Sequence, residues 1–290
     1  MELTQILSSQ LAAEIECNVA AALQEDIGDG DLTAQLTSAD KRSRGTVISR
    51  ENAVIAGIAW FKSCFQHLDA NASIHWTCED GDSVEAGQVL CEIDANTRAL
   101  LTAERPALNF LQTLSATATV TRQYVQAVAA TSAHIVDTRK TLPGLRLGQK
   151  YAVRCGGGHN HRIGLYDGIL IKENHIMAAG GVSEALKRAQ AIHKSKGRNE
   201  VFIEIEVESL AQLDEALGAG AKMILLDNMD LAQMREAVSI TKGRAKLEAS
   251  GGVNLDTVRA IAETGVDRIS IGALTKDIRA IDLSLRHVES

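Results

Sequence analysis

Six basic residues stand where the chain can bring them together: Arg139 and Lys140 directly after one apolar run, His161 and Arg162 after a glycine triplet, Lys172 after another apolar run, and Arg105 near the start of a long helical pattern. Arginine forks match carboxylates and phosphates two hydrogen bonds at a time, and lysine adds a mobile point charge. A cluster of them suits a polyanion. The opposite charges come from Asp227, at the end of an apolar run, and from Glu204, Glu206 and Glu208, which alternate along one strand pattern and so face one side. The pattern does not choose among the three glutamates. Carboxylates among cations can accept hydrogen bonds from ribose hydroxyls, hold Mg²⁺ through water, or stabilise developing positive charge.

Two glycine-bearing turns add backbone donors. Ser250-Gly251-Gly252 and Gly272-Ala273-Leu274 each precede a helical pattern, and N–H groups at a helix N-terminus bind phosphate. Cys155-Gly-Gly-Gly-His159-Asn-His161 mimics a metal site, but no fourth ligand follows at the usual zinc spacing. The three glycines suit a flexible loop that lets His161 and Arg162 approach a ligand.

These residues need a scaffold that gathers strand ends. From about residue 134 onward, short β-rich runs alternate with helical stretches: His134-Ile-Val-Asp, Gly168-Ile-Leu-Ile, Val201-Phe-Ile-Glu-Ile, Lys222-Met-Ile-Leu-Leu, Lys246-Leu-Glu-Ala and Asp267-Arg-Ile-Ser-Ile. That rhythm predicts a parallel α/β barrel or a doubly wound sheet. Nearly every run ends in a polar or glycine-rich element, beginning with Thr138-Arg139-Lys140, and in a barrel such ends converge on one mouth. A doubly wound sheet would carry a G-x-G-x-x-G turn near its first strand, and the chain has none, so the barrel is preferred.

The first third reads differently. A helical pattern over about residues 6–24, a Gly/Asp-rich loop and alternating stretches such as Thr46-Val-Ile-Ser-Arg predict a small α+β unit. Glu79-Asp-Gly-Asp-Ser-Val-Glu-Ala-Gly-Gln-Val-Leu90 has the texture of a lipoyl or biotinyl carrier domain, yet the tip lysine such a carrier needs is missing. Pro106 at a first-turn position, followed by Leu108, Leu111, Leu114, Val120 and Val125, predicts a linking helix from Ala107 to about Ala130.

With 30 Lys and Arg against 37 Asp and Glu, the chain carries a net charge of -7, which repels nucleic acid and anionic membranes. Anionic ligands must therefore meet the local basic cluster. Five scattered cysteines without a Cys-x-x-Cys pair, an N-terminal segment without a basic leader, and no apolar run of membrane length point to a soluble cytoplasmic protein.

The segments Thr138-Arg-Lys-Thr-Leu-Pro-Gly-Leu-Arg146, Lys150-Tyr-Ala-Val153, Gly156-Gly-Gly-His-Asn-His-Arg162 and Ile171-Lys-Glu-Asn-His175 closely resemble the signature of the quinolinate phosphoribosyltransferases. The likeness extends over the whole chain through Glu25-Asp-Ile-Gly-Asp-Gly-Asp-Leu-Thr33, Glu104-Arg-Pro-Ala-Leu-Asn109, Glu204-Ile-Glu-Val-Glu208, Leu226-Asp-Asn228, Glu248-Ala-Ser-Gly-Gly252 and Ile271-Gly-Ala-Leu274. Pro106 and Ala116 depart from the family's usual residues.

The resemblance implies an N-terminal α/β sandwich domain over residues 1–115, with the tail 276–290 packed on it, and an incomplete parallel α/β barrel over 116–275. It implies a glycosyltransferase of NAD biosynthesis that joins quinolinate to phosphoribosyl pyrophosphate with Mg²⁺, releasing carbon dioxide and pyrophosphate. It further implies a homodimer, or a higher oligomer built from it, with active sites shared between subunits. Arg139, Arg162 and Lys172 would grip the two carboxylates, with His161 beside them and Arg105 arriving from the partner subunit. Lys140 would contact phosphoribosyl pyrophosphate and, of the three glutamates, Glu206 would join Asp227 at the ribose. Thr138 and the loops Ser250-Gly251-Gly252 and Gly272-Ala273-Leu274 complete the implied substrate-binding set, and Lys140, Lys172, Glu206 and Asp227 the catalytic one.

Competing readings are a nicotinate phosphoribosyltransferase, a related transferase linked to molybdenum transport, a Schiff-base aldolase at Lys172, and a non-catalytic sensor of a phosphorylated ligand. The density of carboxylate-binding cations argues against the first two.

Overall fold

The computed structural model describes residues 3–196 and 201–288. Helix α1 (Leu3–Ile27) leads into β1 (Arg42–Ser49), β2 (Ala53–Val54), α2 (Ile58–Leu68), β3 (Ser73–Trp76), β4 (Ser83–Val84), β5 (Val89–Asn96) and the long helix α3 (Thr97–Ala127). Along β1 the alternation puts Gly45, Val47 and Ser49 inside, as a half-buried strand requires. The chain's last strand, β12 (Leu283–Val288), pairs antiparallel with β1, giving a four-stranded sheet in the order β12-β1-β5-β3. Trp60, Phe61 and Phe65 from α2 and Leu100, Leu108, Leu111 and Leu114 from α3 form one core with Val47, Leu90 and Ile93 of that sheet.

Helix α3 corrects one expectation. It begins at Thr97, where Asn96 Oδ1 accepts the backbone N–H groups of Arg98 (3.0 Å) and Ala99 (3.3 Å), so Asn96 is the cap and Pro106 lies inside the helix. An interior proline costs roughly 3 kcal/mol. Burial of Ala103, Ala107, Leu108 and Leu111 on the same helix offsets it.

A second series follows: β6 (His134–Val136), α4 (Arg146–Cys155), β7 (Gly168–Ile171), α5 (Glu173–Ala179), α6 (Val182–Lys196), β8 (Phe202–Val207), α7 (Leu210–Gly218), β9 (Met223–Asp227), α8 (Leu231–Thr241), β10 (Lys246–Ser250), α9 (Val258–Ala262), β11 (Arg268–Ser270) and α10 (Ala273–Lys276). As the strand–helix rhythm predicts, six parallel strands form one sheet, in the order β6-β11-β10-β9-β8-β7. The first strand of the series thus pairs with the last, which is the wrap of a barrel. At the outer edge of β6 the backbone of His159 continues the pairing, its N–H donating to Ile135 O (2.8 Å) and its carbonyl accepting from Asp137 N–H (3.1 Å). Among the described residues no ladder joins β6 to β7, so the barrel is incomplete. Because all six strands run the same way, their C-terminal ends open on one mouth.

The compact units are not contiguous in sequence. One holds the described residues up to Arg122, Thr141–Gly157 and those from Thr275 onward, and the other holds Gln123–Lys140 and Gly158–Leu274. The excursion through α4 joins the first unit because Gln149, fully buried, donates to Thr275 O (2.8 Å) and accepts from Leu142 N–H (2.8 Å), tying it to the returning tail. Nothing in the local pattern of residues 141–157 distinguishes this from a barrel loop. No described helix is long and apolar enough to cross a membrane.

Candidate active site

Three side chains that end neighbouring strands define the mouth. Lys172 follows β7, Glu206 lies near the end of β8 and Asp227 closes β9. Lys172 Nζ donates to Glu206 Oε2 at 3.0 Å, with the lysine side chain half exposed and the glutamate mostly covered. Asp227 accepts from Asn228 Nδ2 (2.9 Å). Burial, and then the facing Glu206 carboxylate, push Asp227 above the usual carboxylate range, while Lys172 and Lys140 pull the other way. The four groups therefore share one electrostatic field. A cation or a set of hydroxyl donors placed between Glu206 and Asp227 would relieve their repulsion.

Thr138, Arg139 and Lys140 follow β6. The Thr138 hydroxyl accepts the Lys140 backbone N–H (3.1 Å), which turns the chain so that Arg139 is half-buried and Lys140 exposed. Arg162 sits on the segment before β7, where its guanidinium donates to Gly168 O (3.1 Å). The carboxylate of Asp167 accepts from Ile163 N–H (2.7 Å) and Gly164 N–H (2.8 Å), fixing the turn that carries Arg162. Burial and the neighbouring charge of Arg139 lower the Arg162 pKa, while the carboxylates of Asp167 and Glu204 act the other way. An anion placed against both guanidiniums would offset that cost.

His161 lies below this rim instead of on it. It is buried, its Nδ1 accepts the Arg162 backbone N–H (2.8 Å), and its Nε2 meets Glu204 Oε2 at 2.7 Å. The ring also packs edge-on against Phe202. Glu204, Glu206 and Glu208 do not share one environment: Glu204 is fully buried, Glu206 reaches the mouth, and Glu208 lies past the end of β8 and is exposed. Asp137, fully buried after β6, accepts from His161 N–H (2.8 Å) and Asn160 Nδ2 (2.6 Å) and so anchors the same segment. His159 packs against His134. Among the described residues, a trio whose donor atoms lie within 4.8 Å of one another is His161, Glu204 and Glu248.

The glycine loops differ from expectation in one respect. Ser250-Gly251-Gly252 does not abut a helix N-terminus, because α9 starts only at Val258, after a turn in which Asn254 Oδ1 accepts from Asp256 and Thr257 N–H. What the loop offers is two left-handed residues, Gly251 at φ 103° and Gly252 at φ 59°, next to the end of β10. A Cβ at Gly251 would collide with the Asn228 side chain, which is the Asp227 partner. Gly251→Ala should therefore lower stability by about 1–2 kcal/mol through strain alone, read as a fall in the denaturant midpoint. The Gly272 turn does meet a helix, α10, and a Cβ there would come 3.0 Å from Lys140 Cδ, so the glycine leaves room for that lysine. Leu274 is fully buried, whereas Ala273 is half-buried.

Arg105 stands exposed on α3, in the other compact unit. A cavity of about 280 Å³ lined by Lys222, Arg244, Lys246 and Asp267 opens at the opposite, N-terminal ends of β9 and β10, where Lys246 is already paired with Asp267 (2.6 Å). It has no part in the mouth. Sequence reasoning missed Asp137, Glu248 and Arg268, although an acidic residue directly after a β-rich run was a usable sign for Asp137.

Comparison with known proteins identifies the chain's relatives. Residues 31–115 match the family model described as quinolinate phosphoribosyl transferase, N-terminal domain, and residues 117–286 match its C-terminal domain. A probable carboxylating nicotinate-nucleotide pyrophosphorylase of Bacillus subtilis is 42% identical over 261 residues, 90% of this chain and 89% of that one. A decarboxylating quinolinate phosphoribosyltransferase of Nicotiana tabacum is 40% identical over 282 residues, covering 91% of this chain and 80% of that one. The solved nicotinate-nucleotide pyrophosphorylase of Francisella tularensis superposes with a TM-score of 0.90 at 44% identity, covering 95% of this chain and 96% of that one. On two family models that together span most of its length, and on relatives of this identity, the chain belongs to the quinolinate phosphoribosyltransferase family.

Proposed function

We propose that the chain transfers the phosphoribosyl group of phosphoribosyl pyrophosphate to quinolinate, with loss of carbon dioxide and pyrophosphate, giving nicotinate mononucleotide for NAD biosynthesis. The observation that carries this reading is the meeting at one mouth of a Lys172–Glu206 pair, the raised Asp227 and the crowded guanidiniums of Arg139 and Arg162. The guanidiniums and Lys172 receive the two carboxylates of the pyridine. Lys140 faces the leaving pyrophosphate, Glu206 and Asp227 face the ribose, and the Thr138, Ser250-Gly251-Gly252 and Gly272-Ala273-Leu274 backbones face phosphate.

In the reaction the C1–O bond to pyrophosphate breaks, its electron pair leaving with pyrophosphate, and the pyridine nitrogen lone pair then forms the new C1–N bond. Glu206 and Asp227 stabilise the positive charge that C1 develops between these events. The ring nitrogen is then cationic, so the adjacent carboxylate leaves as carbon dioxide and its bonding electrons stay on the ring carbon until a proton arrives. Oxygen donors from two repelling carboxylates suit Mg²⁺, which would neutralise charge on the pyrophosphate when bound. Lys172 is engaged with Glu206, not isolated in an apolar pocket as a Schiff-base lysine would be, and borohydride with a carbonyl substrate should leave no adduct.

The chain acts as a homodimer in which Arg105 completes the partner's site, and it acts in the cytoplasm, where its free cysteines, including exposed Cys17, stay reduced. The test of the activity is release of carbon dioxide and pyrophosphate in equal amounts from quinolinate, phosphoribosyl pyrophosphate and Mg²⁺; no release would overturn the reading. Arg162→Ala should weaken quinolinate binding by about 1.5–3 kcal/mol, the size of a lost charged hydrogen bond, while Asp227→Asn should chiefly lower kcat. Loss of phosphoribosyl pyrophosphate binding in Arg162→Ala, with quinolinate unaffected, would show the pocket to be mapped backwards.

A further inference from the structure

Beneath the mouth lies a buried polar group that the proposed reaction does not use. Glu204 on β8 and Glu248 on β10 come from alternate strands into the barrel interior, both fully buried. Arg268 on β11 brings its Nε to 3.2 Å from Glu248 Oε2, and the same arginine donates to Met223 Sδ (3.5 Å). His161 Nε2 stands 2.7 Å from Glu204 Oε2 and 3.8 Å from Glu248 Oε1. Burial raises both carboxyl groups, and each is raised or lowered further by the charges around it.

The hydrogen bond from the Arg162 backbone selects one arrangement at His161. The Arg162 backbone N–H can only donate, so His161 Nδ1 must accept, and the ring proton of a neutral imidazole must sit on Nε2. Nε2–H then donates to Glu204. An imidazolium would put a proton on Nδ1 against the Arg162 N–H, and the other neutral tautomer would do the same while leaving Nε2 facing a carboxylate.

We propose that Glu204, backed by Glu248 and Arg268, is a positioning residue for recognition of the pyridine dicarboxylate: it locks His161 in the Nε2–H tautomer, and His161 in turn fixes the backbone of Arg162 and so the direction of its guanidinium. Glu204 touches no substrate. The claim rests on the reading of Arg162 as a quinolinate contact, and its test separates the two.

The tautomer is read on the free enzyme from multiple-bond nitrogen–proton spectra of histidine-labelled protein near neutral pH, with His161→Gln used for assignment. The expected pattern is a neutral Nε2–H imidazole; an Nδ1–H tautomer or an imidazolium would overturn the proposal whatever the enzyme acts on. Kinetics give the second readout. Glu204→Leu should raise KM for quinolinate about tenfold or more while kcat and KM for phosphoribosyl pyrophosphate stay within about twofold. Glu204→Gln, whose side-chain carbonyl accepts the same hydrogen bond, should bring KM back to within about threefold of the parent. If the Gln variant is as impaired as Leu, or if both substrates and kcat suffer together, Glu204 is not positioning Arg162. Neither the wild-type spectrum nor the Gln variant depends on the Leu variant folding. Stoichiometric zinc uptake by the free enzyme, abolished in Glu204→Gln, would also overturn the proposal, because the metal would occupy the place of the Nε2 proton. Absence of turnover on quinolinate would defeat the reaction reading alone, and the His161 tautomer would still decide whether Glu204 holds the ring.

Discussion

Nicotinate offered in place of quinolinate should be used with a kcat/KM at least about a hundredfold lower, and nicotinamide not at all. The argument starts from the crowding of charge on the rim. Arg162 is half-buried, and its charge is disfavoured first by burial and then by Arg139, with Asp167 and Glu204 offsetting only part. A bound anion removes that penalty. Quinolinate brings two carboxylates, enough to meet both guanidiniums and Lys172, whereas nicotinate brings one and leaves a desolvated cation without its partner. Each charged hydrogen bond lost is worth about 1.5–3 kcal/mol, and two of them correspond to a factor of about a hundred or more. A site built to bond a polar group rejects the analogue that lacks it for this reason. Steady-state assays with each pyridine, following pyrophosphate, decide the matter. Comparable turnover of nicotinate would mean that the guanidiniums serve phosphate and that the dicarboxylate assignment is wrong.

Much of the barrel was legible because its signals are local. A parallel strand buried on both faces reads as a short apolar run, and the residue that follows it is polar because it emerges at the mouth, so Arg139, Lys140, Lys172 and Asp227 could be placed from spacing alone. What escaped depends on partners distant in sequence. The depth of Glu204, Glu206 and Glu208 is set by stagger between strands, which no alternation within β8 reveals; the difference between a buried proton acceptor and a residue at the mouth is one step of two along the strand. Glu248 and Arg268 become partners because β10 and β11 pair with Glu248 opposite Arg268. The start of α3 was misplaced because Pro106 is a strong first-turn signal in isolation, while the Asn96 cap lies at the end of a strand, where a polar residue carries little local meaning. The resemblance supplied what local pattern could not, the choice of Glu206 over its neighbours.

Arg105→Ala and Lys172→Ala enzymes, each nearly inactive alone, should regain activity when the two chains are combined. Lys172 stands at the mouth after β7, whereas Arg105 is exposed on α3 in the other compact unit, outside the strands that build that mouth. Both are cations suited to the same anionic substrates. If Arg105 serves the neighbouring subunit's mouth, a mixed dimer holds one site with both defects and one with neither. Closed two-fold symmetry with random pairing makes about half the dimers mixed, each with one intact site in two, so co-expressed chains should reach about a quarter of wild-type activity per subunit. Purifying the mixed dimer through two different tags should raise this to about a half, since every molecule then carries one intact site. The doubly substituted chain paired with wild type serves as a control. It also has two chains per dimer, but each of its sites carries one defect, so it should stay nearly inactive. Activity in that control, or tagged mixed dimers as inactive as the two parents, would place Arg105 in its own chain's site or in none.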